Sequence, residues 1–232
     1  GLEGVPNDVV TRDPKERAFR YYKGFAAELA DRGFVTFAPH NPYRGRDAFR
    51  VLQRKANPLG RSLFSVIIAQ HNRIIDWLEE LPYVDKSRIG FYGLSYGGKT
   101  AMRVPPFVTR YSLAICSGDF TARIRTIAGN STRYNYIFTT EYEIPEWNMG
   151  HVASYAELAM LMTPRPFMVE QGRLDGGAPP EWVANEYARF RRHYDKLGIG
   201  EKTEIEFFDG PHTINAQGTF RFLHRHLDWP QP

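Results

Sequence analysis

A serine in a glycine-rich turn is the clearest chemical signal in the sequence. Ser95 lies in GLSYGG, residues 93–98, which matches the pattern G-x-S-x-G. An apolar run at residues 88–92 predicts a strand before the motif, and a helical stretch follows it. A serine at so tight a strand-to-helix turn needs small neighbours, which Gly93 and Gly97 would provide. The pattern predicts that Ser95 is a nucleophile. The alternative is an exposed serine in a plain glycine-rich turn.

A serine hydroxyl is a weak nucleophile until a base removes its proton, and histidine is the usual base. His212 lies in a loop between the last predicted strand, residues 204–208, and the last predicted helix, residues 219–227. We therefore predict His212 as the base. The other histidines are weaker candidates: His71, His193, His224 and His226 in predicted helices, His151 in an irregular segment, and His40, which precedes the serine after a strand.

An acidic residue is expected to orient the histidine ring, and it should lie between the serine and the histidine in the chain. Asp175 fits this position because it lies in QGRLDGG, residues 171–177, just after a predicted strand. Glu170 is a second candidate, although it falls within that strand, and Asp119, which follows the preceding strand, is a third. The alternative for Asp175 is a turn-forming Asp-Gly pair.

Backbone N–H groups near Ser95 could stabilise the negatively charged oxygen that forms when a carbonyl is attacked. The N–H of Tyr96 belongs to the first turn of the helix after the serine. A second donor is expected from a glycine-rich loop, and GLEG at residues 1–4 would suit, with the N–H of Leu2 as donor. The alternative is that these first residues form a frayed terminus.

Short apolar runs alternate with longer amphipathic stretches along the chain, which predicts an α/β fold with a mostly parallel sheet and helices on both faces. We predict one domain over residues 1–232. The predicted strands are residues 34–38, 88–92, 113–116, 167–170 and 204–208. The predicted helices are residues 14–31, 62–81, 180–197 and 219–227.

Residues 120–162 do not follow this alternation and are rich in Tyr, Thr and Asn. An insertion after a strand lies over the carboxyl ends of a parallel sheet, where ligands bind. We therefore predict a cap that contributes Tyr142, Trp147 and His151 to substrate binding. A packed excursion without contact to substrate is the alternative.

Composition excludes several other classes of protein. The net charge of +4 comes from 30 basic and 26 acidic residues spread along the chain, so a nucleic-acid partner is not predicted. No run of 18 apolar residues predicts a membrane span. The single cysteine, Cys116, excludes an internal disulfide and lies in an apolar run, as a buried thiol would. The sequence predicts no compartment, since a signal peptide could precede Gly1.

Three segments of the chain resemble bacterial α/β-hydrolases of the dienelactone hydrolase and acetyl xylan esterase group. These are residues 93–98, 172–182 and 210–220, and the resemblance extends over nearly the whole chain. It implies a triad of Ser95, Asp175 and His212, with Leu2 and Tyr96 forming the oxyanion hole. It also implies hydrolysis of carboxylic esters, small-molecule or carbohydrate, including acetyl groups on plant polysaccharides. No metal or organic cofactor is implied.

Two departures from that group shape the prediction. Dienelactone hydrolases use a cysteine nucleophile, so Ser95 favours a general serine esterase. In the group, strands precede the loop that residues 1–4 resemble, and one of them lies in mid-sheet. We therefore expect this sheet to lack its first strands and to be completed by an upstream segment of a longer protein or by a second chain. A prolyl-oligopeptidase-like peptidase and a non-catalytic binding protein of the same fold are the alternatives.

Overall fold

Four parallel strands form the centre of the molecule in the computed structural model, which describes residues 1–131, 133–136, 146 and 148–231. They are β1 (Gly90–Leu94), β2 (Leu113–Ser117), β3 (Phe167–Gly172) and β4 (Thr203–Phe208). Their spatial order is β1-β2-β3-β4, so β1 and β4 are the edges of this sheet. All three pairings are parallel, as the sequence predicts.

Helices connect and cover the strands. They are α1 (Arg17–Tyr22), α2 (Phe25–Asp31), α3 (Asp47–Ala56), α4 (Leu63–Glu79), α5 (Tyr96–Arg103), α6 (Arg123–Ala128), α7 (Met149–Val152), α8 (Tyr155–Met160), α9 (Pro180–Lys196) and α10 (Gln217–His226). Short 3-10 turns lie at Pro6–Val9, Asn57–Leu59 and Gly200–Lys202. Within the described part of the chain, no helix is both long enough and apolar enough to cross a bilayer.

Alternate residues of the strands point to opposite faces of the sheet, and each face has its own helices. On one face, Cys116 of β2 and Val169 of β3 pack with side chains of α5, α8 and α9. On the other face, Ile115 and Met168 pack with side chains of α2 and α10. Helices therefore cover both faces, which confirms the predicted architecture. Cys116 is buried, and burial raises the pKa of its thiol.

Local sequence explains where the longest helices begin and end. The Ser62 hydroxyl accepts a hydrogen bond from the Phe64 N–H (3.2 Å) and caps α4. Helix α9 begins at Pro180, and Gly198 adopts a left-handed conformation (φ 68°) just beyond its end.

The helix predicted over residues 14–31 is instead two helices, α1 and α2. Lys23 and Gly24 between them both adopt left-handed conformations, with φ of 53° and 60°. A Cβ atom on Gly24 would lie 2.8 Å from the Thr11 carbonyl oxygen, so the chain turns closely against an earlier segment here. The apolar spacing continues through the break, which is why periodicity alone does not reveal it.

The strand predicted over residues 34–38 is wrong, because this segment has no regular secondary structure. A strand needs a neighbour to bond, and a cavity of about 350 Å³ separates the segment from β1. Helix α3, by contrast, is present in the structure but was not predicted from the sequence.

Candidate active site

Ser95 occupies a strained turn between β1 and α5. Its backbone has φ 63° and ψ −118°, a conformation that residues other than glycine rarely adopt. Its N–H donates to the carbonyl oxygen of Ser117 at the end of β2 (2.9 Å), and its own carbonyl accepts the Lys99 N–H (2.9 Å). The turn is therefore fixed on one side by the neighbouring strand and on the other by the first turn of α5.

Close backbone approach in this turn depends on two glycines. A Cβ on Gly93 would lie 2.5 Å from the carbonyl carbon of Gly97, and a Cβ on Gly98 would lie 2.6 Å from the Ser117 carbonyl oxygen. A Cβ on Gly97 would meet nothing within 4 Å outside its own helix. The clearance predicted for Gly93 and Gly97 therefore belongs to Gly93 and Gly98.

Asp175 and His212 are in direct contact. The Asp175 Oδ2 atom lies 2.6 Å from His212 Nδ1, and because a carboxylate only accepts, Nδ1 carries the proton. The other oxygen, Oδ1, accepts the Gly177 N–H (2.9 Å). The Asp175 side chain is only 3% exposed, whereas His212 is 32% exposed. The pair thus has a buried acid and an imidazole that remains open to a ligand.

The loops that carry this pair are tied together by backbone bonds. The Leu174 N–H donates to the Gly210 carbonyl (3.0 Å), and a Cβ on Gly172 would lie 2.4 Å from that same oxygen. On its other side, the histidine loop is tied to α1, because the Ile214 N–H donates to the Tyr21 carbonyl (2.8 Å). The positions of Asp175 and His212 therefore depend on the contacts between the loops that follow β3 and β4.

Gly118 brings the histidine close to the serine turn, and sequence reasoning missed it. A Cβ on Gly118 would lie 3.0 Å from both Cε1 and Nδ1 of His212, and Gly118 has φ 65°. Its neighbour Ser117 accepts the Ser95 N–H. The signal that could have revealed this seat is a glycine directly after a predicted strand.

The other two acid candidates have different partners. Glu170 accepts hydrogen bonds from Tyr92 and Ser117 within the sheet. Asp119 forms an ion pair with Lys99 (3.1 Å), in which both side chains are at most 3% exposed. Of the three acids, Asp175 is the one bonded to His212.

The two oxyanion candidates both lie near the Ser95 turn. Tyr96 is the first residue of α5, and its ring is buried against Tyr43 and Phe64. The beginning of the chain lies beside β1, since a Cβ on Gly1 would be 3.7 Å from the Leu94 carbonyl oxygen. Leu2 packs against the core around α4 and α5.

Of the predicted substrate-binding residues, Tyr142 and Trp147 lie outside the described residues. His151 is exposed on the short helix α7. The insertion does reach the loop of Asp175, because a Cβ on Gly177 would lie 3.9 Å from the Tyr136 hydroxyl.

Buried charge ties the insertion to the helix after the serine. Glu146 pairs with Arg103 of α5 (2.8 Å) and with Arg123 of α6 (3.1 Å).

No cluster of three or more His, Cys, Asp or Glu that could hold a metal ion occurs among the described residues.

Comparison with solved structures finds the same fold in esterases. A glucuronoyl esterase of carbohydrate esterase family 15 from Caldicellulosiruptor kristjansonii is 21% identical (TM-score 0.62; 75% of this chain and 52% of that one). A candidate acetyl xylan esterase from Bacteroides fragilis is 16% identical (TM-score 0.67; 96% and 64%). A glucuronoyl esterase from Sporotrichum thermophile, bound to methyl 4-O-methyl-β-D-glucopyranuronate, is 19% identical (TM-score 0.61; 74% and 53%).

The chain spans about half of the length of those two glucuronoyl esterases. No curated protein matches the sequence significantly. The likeness to dienelactone hydrolases stays a prediction. The four parallel strands with helices on both faces are those of an α/β-hydrolase. The sequence model of the prolyl oligopeptidase family matches residues 22–229, which is most of the chain, and the chain therefore belongs to this family.

Proposed function

We propose that the chain is a serine carboxylesterase in which Ser95 is the nucleophile, His212 the base and Asp175 the orienting acid. The observation that carries this proposal is the 2.6 Å bond from a buried Asp175 carboxylate to a partly exposed His212. It lies beside the strained turn of Ser95, since Gly118 contacts the His212 ring and adjoins Ser117, the acceptor of the Ser95 N–H.

The reaction would proceed by acyl transfer. His212 takes the Ser95 proton on Nε2 as the hydroxyl oxygen attacks the ester carbonyl carbon. The N–H groups of Tyr96 and Leu2 would stabilise the resulting oxyanion. His212 then protonates the departing alcohol, leaving an acyl group on Ser95. Water, deprotonated by the same histidine, releases the acid and restores the serine. Asp175 keeps Nδ1 protonated and stabilises the imidazolium.

Replacing the nucleophile tests this proposal. Ser95→Ala is expected to lower kcat on p-nitrophenyl acetate by about 10⁴-fold or more, because no covalent intermediate can form. It should also abolish labelling by a fluorophosphonate probe. Ser65→Ala, on the exposed side of α4, is the matched control and should retain both. Full labelling of the Ser95→Ala protein would show that the nucleophile lies elsewhere. A wild-type chain that neither labels nor hydrolyses would favour a non-catalytic binding protein.

We infer that the substrate is an ester of a carbohydrate. The support is that relatives in fold are a glucuronoyl esterase and a candidate acetyl xylan esterase. Acetylated xylan and the methyl ester of glucuronic acid separate the two ester types, because the sugar supplies the alcohol in one and the acid in the other. The substrate class is wrong if neither is cleaved with a higher kcat/KM than ethyl acetate, an ester with a similarly poor leaving group and no sugar.

A peptidase is the second candidate, and the family match favours it. An aminoacyl-proline amide, assayed beside acetylated xylan, distinguishes the two functions by the ratio of kcat/KM values. A ratio in favour of the amide would make the chain a peptidase acting through the same residues.

We also propose that an additional strand, from an upstream segment or a second chain, covers the open edge of β1. The cavity of about 350 Å³ beside that edge is lined mainly by residues 33–39, by β1 and by apolar side chains such as Phe25 and Leu78. Unpaired strand edges are normally covered in native proteins.

A further inference from the structure

Glu170 is a buried carboxylate at the centre of the sheet, and its side chain is bonded on both oxygens. Oε1 accepts the backbone N–H groups of Asn215 (3.2 Å) and Ala216 (2.9 Å). Oε2 accepts the hydroxyls of Ser117 (2.5 Å) and Tyr92 (3.0 Å). The residue is 0% exposed, so these four donors replace water entirely.

All four partners can donate, which is the arrangement that suits an ionised carboxylate. A buried charge is tolerated only when hydrogen bonds compensate it, and hydrogen bonds to a charged acceptor are stronger than neutral ones. Burial nevertheless raises the pKa of Glu170, against the opposing effect of these bonds. The four donors therefore hold the Glu170 side chain in one orientation.

Those donors lie on the segments that carry the proposed base and nucleophile. Asn215 and Ala216 follow His212 by three and four residues, in the loop before α10. Ser117 accepts the Ser95 N–H through its carbonyl oxygen while its hydroxyl donates to Glu170. Tyr92 lies on β1, the strand that leads into Ser95.

A second carboxylate fixes the far side of the same loop. Glu206 of β4 accepts from the Asn215 side-chain amide (3.1 Å) and from the Gly218 N–H (3.1 Å). The loop is thus held to two strands, and the bond to Glu170 is the one that links it to the serine turn.

We propose that Glu170 is a positioning residue for the reaction, which ties the loop of His212 to the strands that hold Ser95. This inference rests on the proposed function, because it concerns the geometry between that nucleophile and that base. Glu170 does not touch the substrate and acts through Ser117, Asn215 and Ala216.

Two substitutions distinguish the effect of the hydrogen bonds of Glu170 from the effect of its negative charge. Glu170→Ala leaves the N–H groups of Asn215 and Ala216 without a partner, so the loop should lose its position. Glu170→Gln keeps one oxygen for those N–H groups, and its amide can donate to the Ser117 and Tyr92 hydroxyls, which can turn to accept. We expect kcat to fall 10- to 100-fold in the alanine variant, KM to change less than threefold, and glutamine to restore at least a third of kcat.

Glu186 provides the matched control. It is equally buried (1% exposed) and accepts a backbone N–H, that of Ala156 (2.8 Å), but it lies between α8 and α9. Glu186→Ala should destabilise the protein without lowering kcat. If Glu170→Ala does not fold, Tyr92→Phe and Ser117→Ala each remove one donor to Oε2. Each should then lower kcat a few-fold, and unchanged kcat in both would overturn the proposal.

A proton NMR measurement makes the test independent of activity. The Nδ1 proton shared with Asp175 should give a far-downfield resonance, identified by its loss in His212→Ala. We expect Glu170→Ala to shift or broaden this resonance, glutamine to restore it and Glu186→Ala to leave it unchanged. An unchanged resonance and kcat in a folded Glu170→Ala protein would overturn the positioning role. A shifted resonance in a protein without esterase activity would instead count against the proposed function.

Discussion

At the scale of single residues, Gly93 and Gly97 look equivalent in the sequence but have different surroundings in the structure. A side chain at Gly93 would overlap the backbone of Gly97, whereas a side chain at Gly97 would meet nothing outside its own helix. The motif G-x-S-x-G therefore combines one position that requires glycine for packing with one that does not. The difference arises from the path of the backbone after Ser95, which a linear pattern does not contain.

We expect the two alanine substitutions to change stability in opposite directions. Gly93→Ala should lower the free energy of unfolding by about 2–3 kcal/mol or more, because the turn must open to admit the methyl group. Gly97→Ala should raise it by about 0.5–1 kcal/mol, because alanine favours a helix. Urea unfolding of both variants measures these changes. Equal effects would contradict the contacts described for Gly93.

The acid can be tested against a neighbouring carboxylate on the facing loop. Asp175→Asn should lower kcat on the order of 10³- to 10⁴-fold, because an amide no longer holds His212 with its proton on Nδ1. Asp209→Asn is the control, since its side chain is 93% exposed and pairs only loosely with Arg173 (3.3 Å). Steady-state kinetics on one ester substrate compares them. A kcat in Asp175→Asn as high as that in Asp209→Asn would remove Asp175 from the mechanism.

At the scale of elements, the sequence predicts well those helices and strands whose signals lie within their own segment. The buried strands β2 and β3 begin with apolar runs, and α4 and α9 have a capping residue or a proline at their start. The order of Ser95, Asp175 and His212 could be read because each follows a predicted strand. The sequence favours Asp175 over Glu170, because Glu170 falls within the predicted strand, but it cannot show where either side chain points, since that direction depends on the register of the strand.

The mistaken elements depend on contacts that are distant in sequence. Residues 34–38 have a strand-like composition but no partner at β1. The break between α1 and α2 depends on Gly24 meeting Thr11. Gly118 was missed for the same reason, since its neighbour His212 is far away in the chain.

Helix α4 gives the fold a dependence on pH through His71. This side chain is 2% exposed and bonds Tyr111 through Nδ1 (2.7 Å), and burial lowers its pKa to about 4. Between pH 6.5 and 4 the unfolded chain binds a proton at His71 that the folded chain does not. Acid therefore favours unfolding over this window, and the stability is recovered above pH 6.5.

The expected contribution of His71 is about 3 kcal/mol between the ends of that window. Urea unfolding at several pH values should show it as a fall in stability toward low pH. His71→Gln keeps a partner for Tyr111 but cannot titrate, so its stability should fall less than that of the wild type. If the stability of both proteins falls equally toward low pH, the pKa of His71 does not differ between the folded and unfolded states.

At the scale of the whole molecule, no strand among the described residues pairs with the outer edge of β1. The cavity there is bounded by β1 on one side and by residues 33–39 on the other, and its lining includes neither Ser95, Asp175 nor His212. Val35 and Phe37 in that lining are 56% and 44% exposed. Apolar side chains along an unpaired strand edge favour association with another strand.

We therefore expect the protein to bind an apolar dye or to self-associate through this cavity. Phe37→Lys places a charge at its mouth and should reduce both dye fluorescence and association, measured by light scattering at several protein concentrations. Leu59→Lys is the matched control, because Leu59 is 77% exposed but does not line the cavity. A protein in which the two variants behave alike would have no accessible strand edge at β1. A loss confined to Phe37→Lys would locate the surface at which an additional strand completes the sheet.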